Sequence, residues 1–481
     1  MAQAARPLLG WQSDRLMVAV ILLLSAVGQG SDGAGLLVAF LVSSTSAAGR
    51  SVMEEQRPEG RHRDVAGGPL DGKPFAVTGH EVWCAWLKVR ENKGAPGVDE
   101  VTIAAFEERL EDNLYKVWNR MASGSYLPPP VRAVEIPKAG GGTRVLGVPA
   151  VGDRVAQTVA AARIERVTEQ FFHPDSYGYR PGRGAHDALA AARRRCWDYD
   201  WVVEFDIRKF FDSVPWDPVV KAVEALRVPP WVLLYVKRWL AAPVMMPDGQ
   251  ARPRDRGTPQ GSAVSPALAN LFLHWAFDAW MGREFPDCPF ERYADDALVH
   301  CKSEARARQV LAALEKRMRD VGLELHPDKT RIVYCKDSNR RAQWDGPVSF
   351  DFLGYTFRPR RSAGKNGVFT GFDLTASDKA VKRMSEIVSG WQLSRHVNLT
   401  WEQLAGWISP VIAGWMAYYG KFRPSGLYTL LARINYHIQE WVRAKYKKLR
   451  PVRAMQRAWG RVTAQDPGLL PHWRWVTGAW Y

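Results

Sequence analysis

Two adjacent carboxylates between apolar segments constrain this chain more than any other feature of its sequence. Asp295 and Asp296 follow Phe290–Tyr293 and precede Ala297–Cys301, and both flanking segments have the composition of short strands. A tight turn between two strands places both carboxylates at one sheet edge, where burial without cations is costly. Since Mg²⁺ binds carboxylate oxygens together with phosphates, the pattern predicts a β-hairpin whose turn holds a hard cation.

A third carboxylate completes this acidic pattern. Asp206 lies near the end of the apolar segment Trp201–Ile207, which is typical of a buried strand. Three acidic residues at adjoining strand ends indicate a two-metal site for in-line nucleotidyl transfer. In such a site one metal lowers the pKa of the attacking primer hydroxyl, and the other binds the triphosphate and stabilises the leaving pyrophosphate. We therefore expect two Mg²⁺ ions as cofactors, with Mn²⁺ as an alternative.

The charge of the chain indicates a polyanionic partner. Lys and Arg number 66 against 50 Asp and Glu, which gives a net charge of +16. Nucleic acid or an anionic membrane would fit this excess, and a generally basic surface is the alternative. Between Ser377 and Arg461 there are 15 Lys and Arg against 4 Asp and Glu, with many interleaved aromatic residues. Aromatic rings can stack on bases, but we expect most of these tryptophans in a helix-packing core.

The cysteines and the N-terminus predict where the protein acts. Five cysteines are widely spaced without a CxxC pair, which argues against a zinc site or a disulfide framework. The apolar run Leu16–Leu24 is like a signal-peptide core but is too short for a transmembrane helix. Our hypothesis is that residues 1–52 are an extension without function, that the working chain starts at Met53, and that the protein is cytoplasmic in a bacterium. A secreted or membrane protein is the alternative, and it rests on residues 16–42 alone.

Strand-like segments are followed by helical periodicity along the chain. The strand-like segments outside the acidic pattern are Val131–Pro137, Thr143–Pro149 and Phe350–Phe357. The first two predict a hairpin, and Asp153 is placed to cap a helix that runs to Phe172. From Ser377 onward the pattern is mainly helical. This order predicts an α+β catalytic region followed by a basic helical domain.

Several long motifs occur in the order of a known family. From about Lys93 to about Tyr419 the chain resembles the bacterial reverse transcriptase/maturase proteins of group II introns. The matching segments are GAPGVD (94–99), IPK…GGTRVLGVP (136–149), SYGYRPGRGAHDAL (176–189), FDIRKFFD (205–212), GTPQGSAVSPALANLFL (257–273), RYADD (292–296), LELHPDKT (323–330), FDFLGY (350–355) and GWMAYYG (414–420). The resemblance implies a right-hand polymerase, with α+β fingers and palm followed by an all-helical basic thumb, or maturase domain X.

The resemblance implies catalytic roles for the acidic residues and two neighbours. Asp206, Asp295 and Asp296 match the catalytic, metal-binding aspartates of the family. Phe211 matches the bulky residue beneath the nucleotide sugar, where an aromatic ring excludes a ribose 2′-hydroxyl and so selects dNTPs. Lys329 matches the lysine proposed to protonate the leaving pyrophosphate.

Further positions match the family's substrate-binding residues. Lys138 and Arg144 match fingers residues that bind the incoming triphosphate, although Val145 stands where the family usually has proline. Gln260 matches the residue beside the nucleotide and template.

Four positions are expected to contact the template or primer. Arg180 and Arg183 flank Gly182 in a loop expected to face template phosphate, and Gly354 and Tyr355 match the primer-grip hairpin.

The resemblance also predicts domains, partners and function. We expect fingers and palm over residues 53–374, the thumb or domain X over residues 375–450, and a short basic-aromatic tail over residues 451–481 that is a candidate DNA-binding segment. The implied function is that of an RNA-directed DNA polymerase that copies intron RNA into DNA during retrohoming and assists splicing as a maturase. Its partners would be intron RNA as template, a DNA primer or target, and dNTPs, without a membrane. We expect no HNH endonuclease domain, and therefore no second-strand cleavage by this protein.

Two other functions stay open at this point. One is an RNA-binding maturase that assists splicing without polymerising, and the other is a free-standing reverse transcriptase that is not tied to an intron. The three intact aspartates favour catalysis, and the basic region with GWMAYYG favours the intron association.

Overall fold

A computed structural model of the chain describes residues 72–137, 143–364 and 367–479. Residues 1–52, for which we predicted an extension without function, and Lys138 lie outside the described residues. In the described ranges no helix combines the length and apolar composition needed to span a bilayer. The chain forms two compact units, which among these residues comprise 72–188 with 201–332, and 189–200 with 333–479.

Helices make up most of the chain between residues 79 and 320. In chain order they are α1 (Gly79–Asn92), α2 (Ile103–Glu107), α3 (Leu110–Ser123), α4 (Val151–Thr168), α5 (Ala185–Asp198), α6 (Phe210–Ser213), α7 (Trp216–Ala225), α8 (Pro230–Ala241), α9 (Ser265–Leu273), α10 (Ala279–Glu284) and α11 (Glu304–Asp320). A π-helical turn, His274–Asp278, joins α9 to α10, and a 3-10 turn spans Pro327–Lys329. Helix α1 shows how local sequence sets the ends of a helix. Thr78 and Glu81 form a reciprocal capping box at its start, and Lys93 ends it in a left-handed conformation.

Eight strands of this region form two sheets. They are β1 (Val131–Pro137), β2 (Thr143–Val148), β3 (Trp201–Asp206), β4 (Val244–Met245), β5 (Ala251–Arg252), β6 (Phe290–Tyr293), β7 (Asp296–Cys301) and β8 (Arg331–Tyr334). One sheet has the order β2-β1-β4-β5, and the antiparallel register of β1 with β2 confirms the predicted hairpin. The other has the order β6-β7-β3-β8, with β7 antiparallel to both β6 and β3. Strand β3 is buried along most of its length, as its apolar sequence predicts.

The second unit combines a three-stranded sheet with helices. The strands are β9 (Phe350–Phe352), β10 (Tyr355–Gly364) and β11 (Gly367–Ala376), in the order β11-β10-β9. The helices are α12 (Asp378–Gly390), α13 (Trp401–Tyr419), α14 (Tyr428–Lys445) and α15 (Val452–Gln465). They share one hydrophobic core, to which the buried tryptophans Trp391, Trp415, Trp441 and Trp459 belong. The expectation that most tryptophans of this region form a core is therefore confirmed.

Two predictions about local structure were wrong. Helix α4 begins at Val151 after Ala150, and Asp153 lies in its first turn with a buried side chain, so this carboxylate does not cap the helix from outside. The apolar run Phe350–Phe357 is two strands rather than the one that its composition predicts, and the turn between them lies where the resemblance implied a hairpin. Leu353 and Gly354 adopt φ angles of 49° and 79°, and this left-handed pair reverses the chain between β9 and β10.

Candidate active site

Strand pairing brings the three aspartates together. Asp296 begins β7, where it is paired with Tyr293 of β6 on one side and with Asp206, the last residue of β3, on the other. Ala294 and Asp295 form the turn, and Ala294 has a φ of 58°, a left-handed conformation that lets two residues connect the strands. The hairpin predicted from the sequence is therefore present, and its carboxylates lie beside the end of β3.

Burial and neighbouring negative charges raise the pKa of Asp295 and of Asp296. Burial, and then the charge of Asp206, raise the pKa of Asp295 from its ordinary 3.8 to about 6. The pKa of Asp296 lies well above its ordinary value because of burial, and then because of the charges of Asp295, Asp206 and Glu204. The protein thus compensates the negative charge of the cluster only in part, and an all-carboxylate donor set of this kind fits a divalent cation such as Mg²⁺.

One protein cation already contacts the cluster. The Nζ atom of Lys329 lies 2.5 Å from Oδ2 of Asp206, and this hydrogen bond raises the pKa of the ammonium. The backbone supports the contact, because His326 N donates to Asp206 O at 2.8 Å and Lys329 N donates to His326 O at 3.1 Å. No three His, Cys, Asp or Glu side chains of the described ranges converge as ready-made metal ligands. With Lys329 bound to it, the carboxylate of Asp206 is engaged by an ammonium group.

A buried arginine that was not predicted from the sequence holds the turn that carries Asp295. Arg292 is 1% exposed and forms a bidentate ion pair with Asp278, with both N–O distances 2.6 Å. Its Nη1 also donates to Asn270 Oδ1 at 3.0 Å and to Ala294 O at 3.1 Å, and its Nη2 donates to Ser176 Oγ at 2.7 Å. The guanidinium therefore fixes a carbonyl of the turn that carries Asp295. The arginine immediately before YADD was visible in the sequence, but its acceptors outside the turn come from two distant segments, the helical run with Asn270 and Asp278 and the segment at Ser176.

The segment that begins at Ser176 packs directly on this turn. Asn270 Nδ2 donates to Gly178 O at 2.7 Å, and a Cβ on Gly178 would lie 2.6 Å from Ala294 N. Only glycine allows this approach. Arg180 is 6% exposed, and its guanidinium donates to both carboxylate oxygens of Glu169 and to two backbone carbonyls.

The two arginines predicted to face the template thus differ in their surroundings. Arg180 is engaged by acceptors of its own loop. Arg183 is half-buried, donates to Pro174 O at 2.6 Å and lies 5.8 Å from the ring of Tyr177. Its remaining donors make it the better placed of the two to contact a phosphate.

The loop with Gln260 meets helix α6 and strand β2. Thr258 N donates to Phe211 O and Gly257 N donates to Val214 O, both at 2.7 Å, so the loop lies against the residue expected beneath the sugar. Phe211 is half-buried and packs edge-on against Phe210. Gln260 is half-buried, and its carbonyl accepts from Gly147 N of β2 at 2.7 Å.

A second buried network, also missed from the sequence, orients this loop. Asp153 Oδ1 accepts from Tyr126 and Trp239, and Oδ2 accepts from Gln157 Nε2 at 2.8 Å. The amide oxygen of Gln157 then accepts from Ser262 Oγ at 2.7 Å and Ala263 N at 2.8 Å. The carboxylate thereby sets the orientation of the Gln157 amide, which in turn anchors the loop just after Gln260.

The remaining site residues fall outside the aspartate cluster or outside the described residues. Gly354 and Tyr355 lie in the second unit, where Tyr355 is fully buried, its hydroxyl donates to Tyr418 O, and Tyr418 in turn donates to Leu353 O at 2.8 Å. These contacts hold the predicted primer-grip turn to the end of α13. Arg144 pairs with Ile136 in the β1–β2 hairpin, but its side chain, like Lys138, lies outside the described part.

Comparison with known proteins gives the family. Residues 136–357 match the family described as reverse transcriptase (RNA-dependent DNA polymerase), and residues 381–459 match the group II intron maturase-specific domain. Protein YkfC of Escherichia coli (strain K12) is 30% identical over 315 residues, which cover 56% of this chain and 78% of YkfC. The group II intron-encoded protein LtrA of Lactococcus lactis subsp. cremoris is 30% identical over 40% of this chain and 32% of LtrA.

Two further proteins are similar to this chain over a smaller share of their own length than YkfC. The 91 kDa protein in the cob intron of Schizosaccharomyces pombe is 31% identical over 42% of this chain and 25% of its own length. The match thus covers about a third of LtrA and a quarter of this fungal protein. A solved telomerase of Candida albicans, in complex with a TWJ fragment of telomeric RNA, covers 78% of this chain with a TM-score of 0.41 at 12% identity. With both of its domain models matched in order and most of YkfC covered, the chain belongs to the group II intron reverse transcriptase/maturase family.

Proposed function

We propose that this chain is the RNA-directed DNA polymerase of a group II intron, which copies intron RNA into DNA and assists splicing as a maturase. The observation that carries the proposal is the register of Asp206 with Asp296 beside the Asp295 turn, within the part of the chain that matches the reverse transcriptase family. The match to the maturase-specific domain over residues 381–459 supports the association with an intron.

The chemistry follows from the charges of the cluster. Two divalent ions bound by Asp206, Asp295 and Asp296 would supply charge stabilisation for the attacking 3′-hydroxyl and the leaving pyrophosphate. Lys329 carries a proton that its hydrogen bond with Asp206 helps to retain, and this proton would be available to the leaving pyrophosphate. Bound cations would favour the ionised forms of Asp295 and Asp296, whose pKa burial and neighbouring carboxylates raise.

The surrounding residues would select and orient the nucleotide. Phe211, held by the loop at Thr258, forms the floor on which the sugar lies, and its ring leaves no room for a 2′-hydroxyl. Gln260 lies beside the base pair, while Lys138 and Arg144 bind the triphosphate. Arg183 contacts template phosphate, and Arg180 keeps that loop in place through Glu169. The Gly354-Tyr355 turn contacts the primer.

Primer extension tests this function. The full chain would be incubated with an RNA template, an annealed DNA primer, Mg²⁺ and dNTPs, beside the matched Asp295→Ala/Asp296→Ala protein. We expect extension by the wild type alone, together with RNA binding by both proteins, because the aspartates act in chemistry and not in RNA affinity. A folded wild type that binds RNA without extending the primer would refute the polymerase and favour the splicing-only maturase.

A further inference from the structure

Strand β10 carries two arginines on one face. Arg358 and Arg360 alternate with Phe357 and Pro359, and they lie opposite Asp373 and Gly371 of β11. Arg423, from the segment after α13, approaches the same sheet, where its Nη2 donates to Arg361 O at 3.2 Å. Three guanidinium groups therefore surround one part of the sheet in the second unit.

Arg360 is the unusual member of this group. Its Nε and Nη2 atoms are buried and have no hydrogen-bond acceptor among the residues that the structure describes. Burial, and then the charges of Arg358 and Arg423, lower its pKa to about 10. A buried donor without an acceptor is costly, and a charged one more so, so this side chain is poorly satisfied in the free protein.

The nearby carboxylates do not neutralise the group. Asp373 is engaged bidentately by Arg193, with distances of 2.8 and 3.2 Å, and lies 3.9 Å from Arg423. Asp378 lies 4.0 Å from Arg358, and its side chain is 90% exposed, so the pair is largely screened by water. Two carboxylates thus face four guanidinium groups, and the local charge is positive.

We propose that Arg358, Arg360 and Arg423 form a binding site for backbone phosphates of the primer–template duplex. The proposal rests on the proposed function and assigns it one part of the nucleic-acid path. A phosphate supplies the acceptors that Arg360 lacks, and the edge formed by its Nε and Nη2 atoms matches two phosphate oxygens. Turning this edge outward breaks no ion pair among the described residues.

The position along the strand favours a nucleic-acid phosphate over a free anion. Strand β10 starts at Tyr355, in the predicted primer-grip turn, and the two arginines follow it by three and five residues, which is about 10 and about 17 Å along a strand. A nucleic-acid strand, with its successive phosphates, can follow such a row of arginines.

The proposal is tested by measuring how tightly the protein binds a labelled RNA–DNA hybrid duplex. Fluorescence anisotropy gives the affinity without dNTPs at several salt concentrations. We expect Arg360→Gln to weaken binding roughly tenfold and to lower the slope of log affinity against log salt by about 0.9, the loss of one phosphate contact. The matched control is Arg361→Gln, which removes an equal charge from the exposed neighbour on the other face of the strand and should change affinity much less. Equal losses in the two variants, or no loss in Arg360→Gln, would overturn the proposal.

Two further measurements separate the alternatives. In urea without nucleic acid, Arg360→Gln should unfold at the same or a higher denaturant concentration than the wild type, because the buried positive charge is gone. A lower midpoint would assign Arg360 to the fold and overturn the site. If inorganic phosphate raises the melting temperature of the wild type alone while duplex binding is unchanged, the site takes a free anion and the duplex assignment is wrong.

The proposed polymerase function can fail independently of this site. Absence of primer extension by the wild type would refute the polymerase without affecting the binding comparison. Normal extension with equal duplex binding by wild type and Arg360→Gln would refute the phosphate site alone.

Discussion

At the scale of single residues, the candidate site depends on buried polar side chains that hold the Asp295 turn and the loop after Gln260. The aspartates, Phe211 and Gln260 were predicted from short motifs, since contiguous residues carry their signal. Arg292 and Asp153 were not, because their acceptors and donors lie in segments far apart in sequence. Each of these two buried charges yields a prediction.

Replacing Arg292 with lysine should damage catalysis as well as stability. Lysine keeps the charge, but it cannot reach Asp278 bidentately while also donating to Ala294 O. We expect a loss of about 2–4 kcal/mol in the free energy of unfolding and at least a roughly tenfold lower kcat, since the turn that carries Asp295 loses its anchor. Urea unfolding and steady-state primer extension measure the two effects.

The chain offers a matched control for this substitution. Arg283→Lys makes the same replacement in an exposed ion pair with Glu284, and it should lower the free energy of unfolding by no more than about 0.5 kcal/mol. A kcat of Arg292→Lys equal to that of the wild type, in a folded protein, would remove Arg292 from the positioning of the turn.

Asp153 should make stability fall as the pH rises. Burial raises the pKa of this carboxyl from 3.8 to about 6, so the folded protein holds a proton that the unfolded chain releases between these values. Stability is therefore lost as the pH rises from about 4 to about 6, by at most about 3 kcal/mol. We expect Asp153→Asn to flatten this part of the profile of unfolding free energy against pH. An unchanged slope in the variant would mean that Asp153 is ionised throughout.

At the scale of elements, the sequence predicts where strands and helices occur better than where they bend. Apolar runs identified β3, β6 and β7, whose burial depends on composition alone. The apolar run Phe350–Phe357 gives no sign of the break between β9 and β10, where the left-handed pair Leu353-Gly354 reverses the chain. Only the resemblance to the family implied a hairpin at this position. The π-helical turn between α9 and α10 was missed for a related reason, since its residues keep a helical composition.

The contact between the Ser176 segment and the turn that carries Asp295 predicts that Gly178 cannot be replaced by a residue with a side chain. In Gly178→Ala the new Cβ would lie 2.6 Å from Ala294 N, a backbone atom that cannot move without shifting the turn. We expect a loss of about 1–3 kcal/mol in the free energy of unfolding and a clear fall in kcat. Gly282→Ala is the control, because nothing lies within 4 Å of its added Cβ and its helical position should favour alanine. Equal activity of both variants would show that the turn adapts.

At the scale of the whole molecule, the excess of positive charge and the hydrophobic core of the second unit lie in the same helical segment of the chain. We predicted residues 451–481 to be a separate basic-aromatic tail. In the described part of this segment, Met455, Trp459, Leu470 and Trp473 are buried in the core shared with α12 to α14. Asn435 of α14 ties the segment down, because its side chain accepts from His472 and Trp473 and donates to Val476 O and Gly478 O.

A chain that ends at Arg450 should therefore lose stability as well as nucleic-acid affinity. Truncation would remove four buried side chains, and the burial of each contributes about 1.5–3 kcal/mol to the free energy of unfolding. It would also leave Asn435 without the partners that this segment supplies. Urea unfolding followed by circular dichroism should show a lower midpoint or a partly unfolded second unit. The matched comparison is the full chain with Arg453, Arg457 and Arg461, all exposed on α15, changed to glutamine.

This triple variant should keep the midpoint of the wild type while its duplex affinity becomes less dependent on salt, since it loses charge without losing core. A truncated chain as stable as the full one would mean that the segment is an appended arm. A triple variant with unchanged salt dependence would mean that the positive charge of α15 does not face the nucleic acid, and that the contacts are made by other basic residues of the molecule.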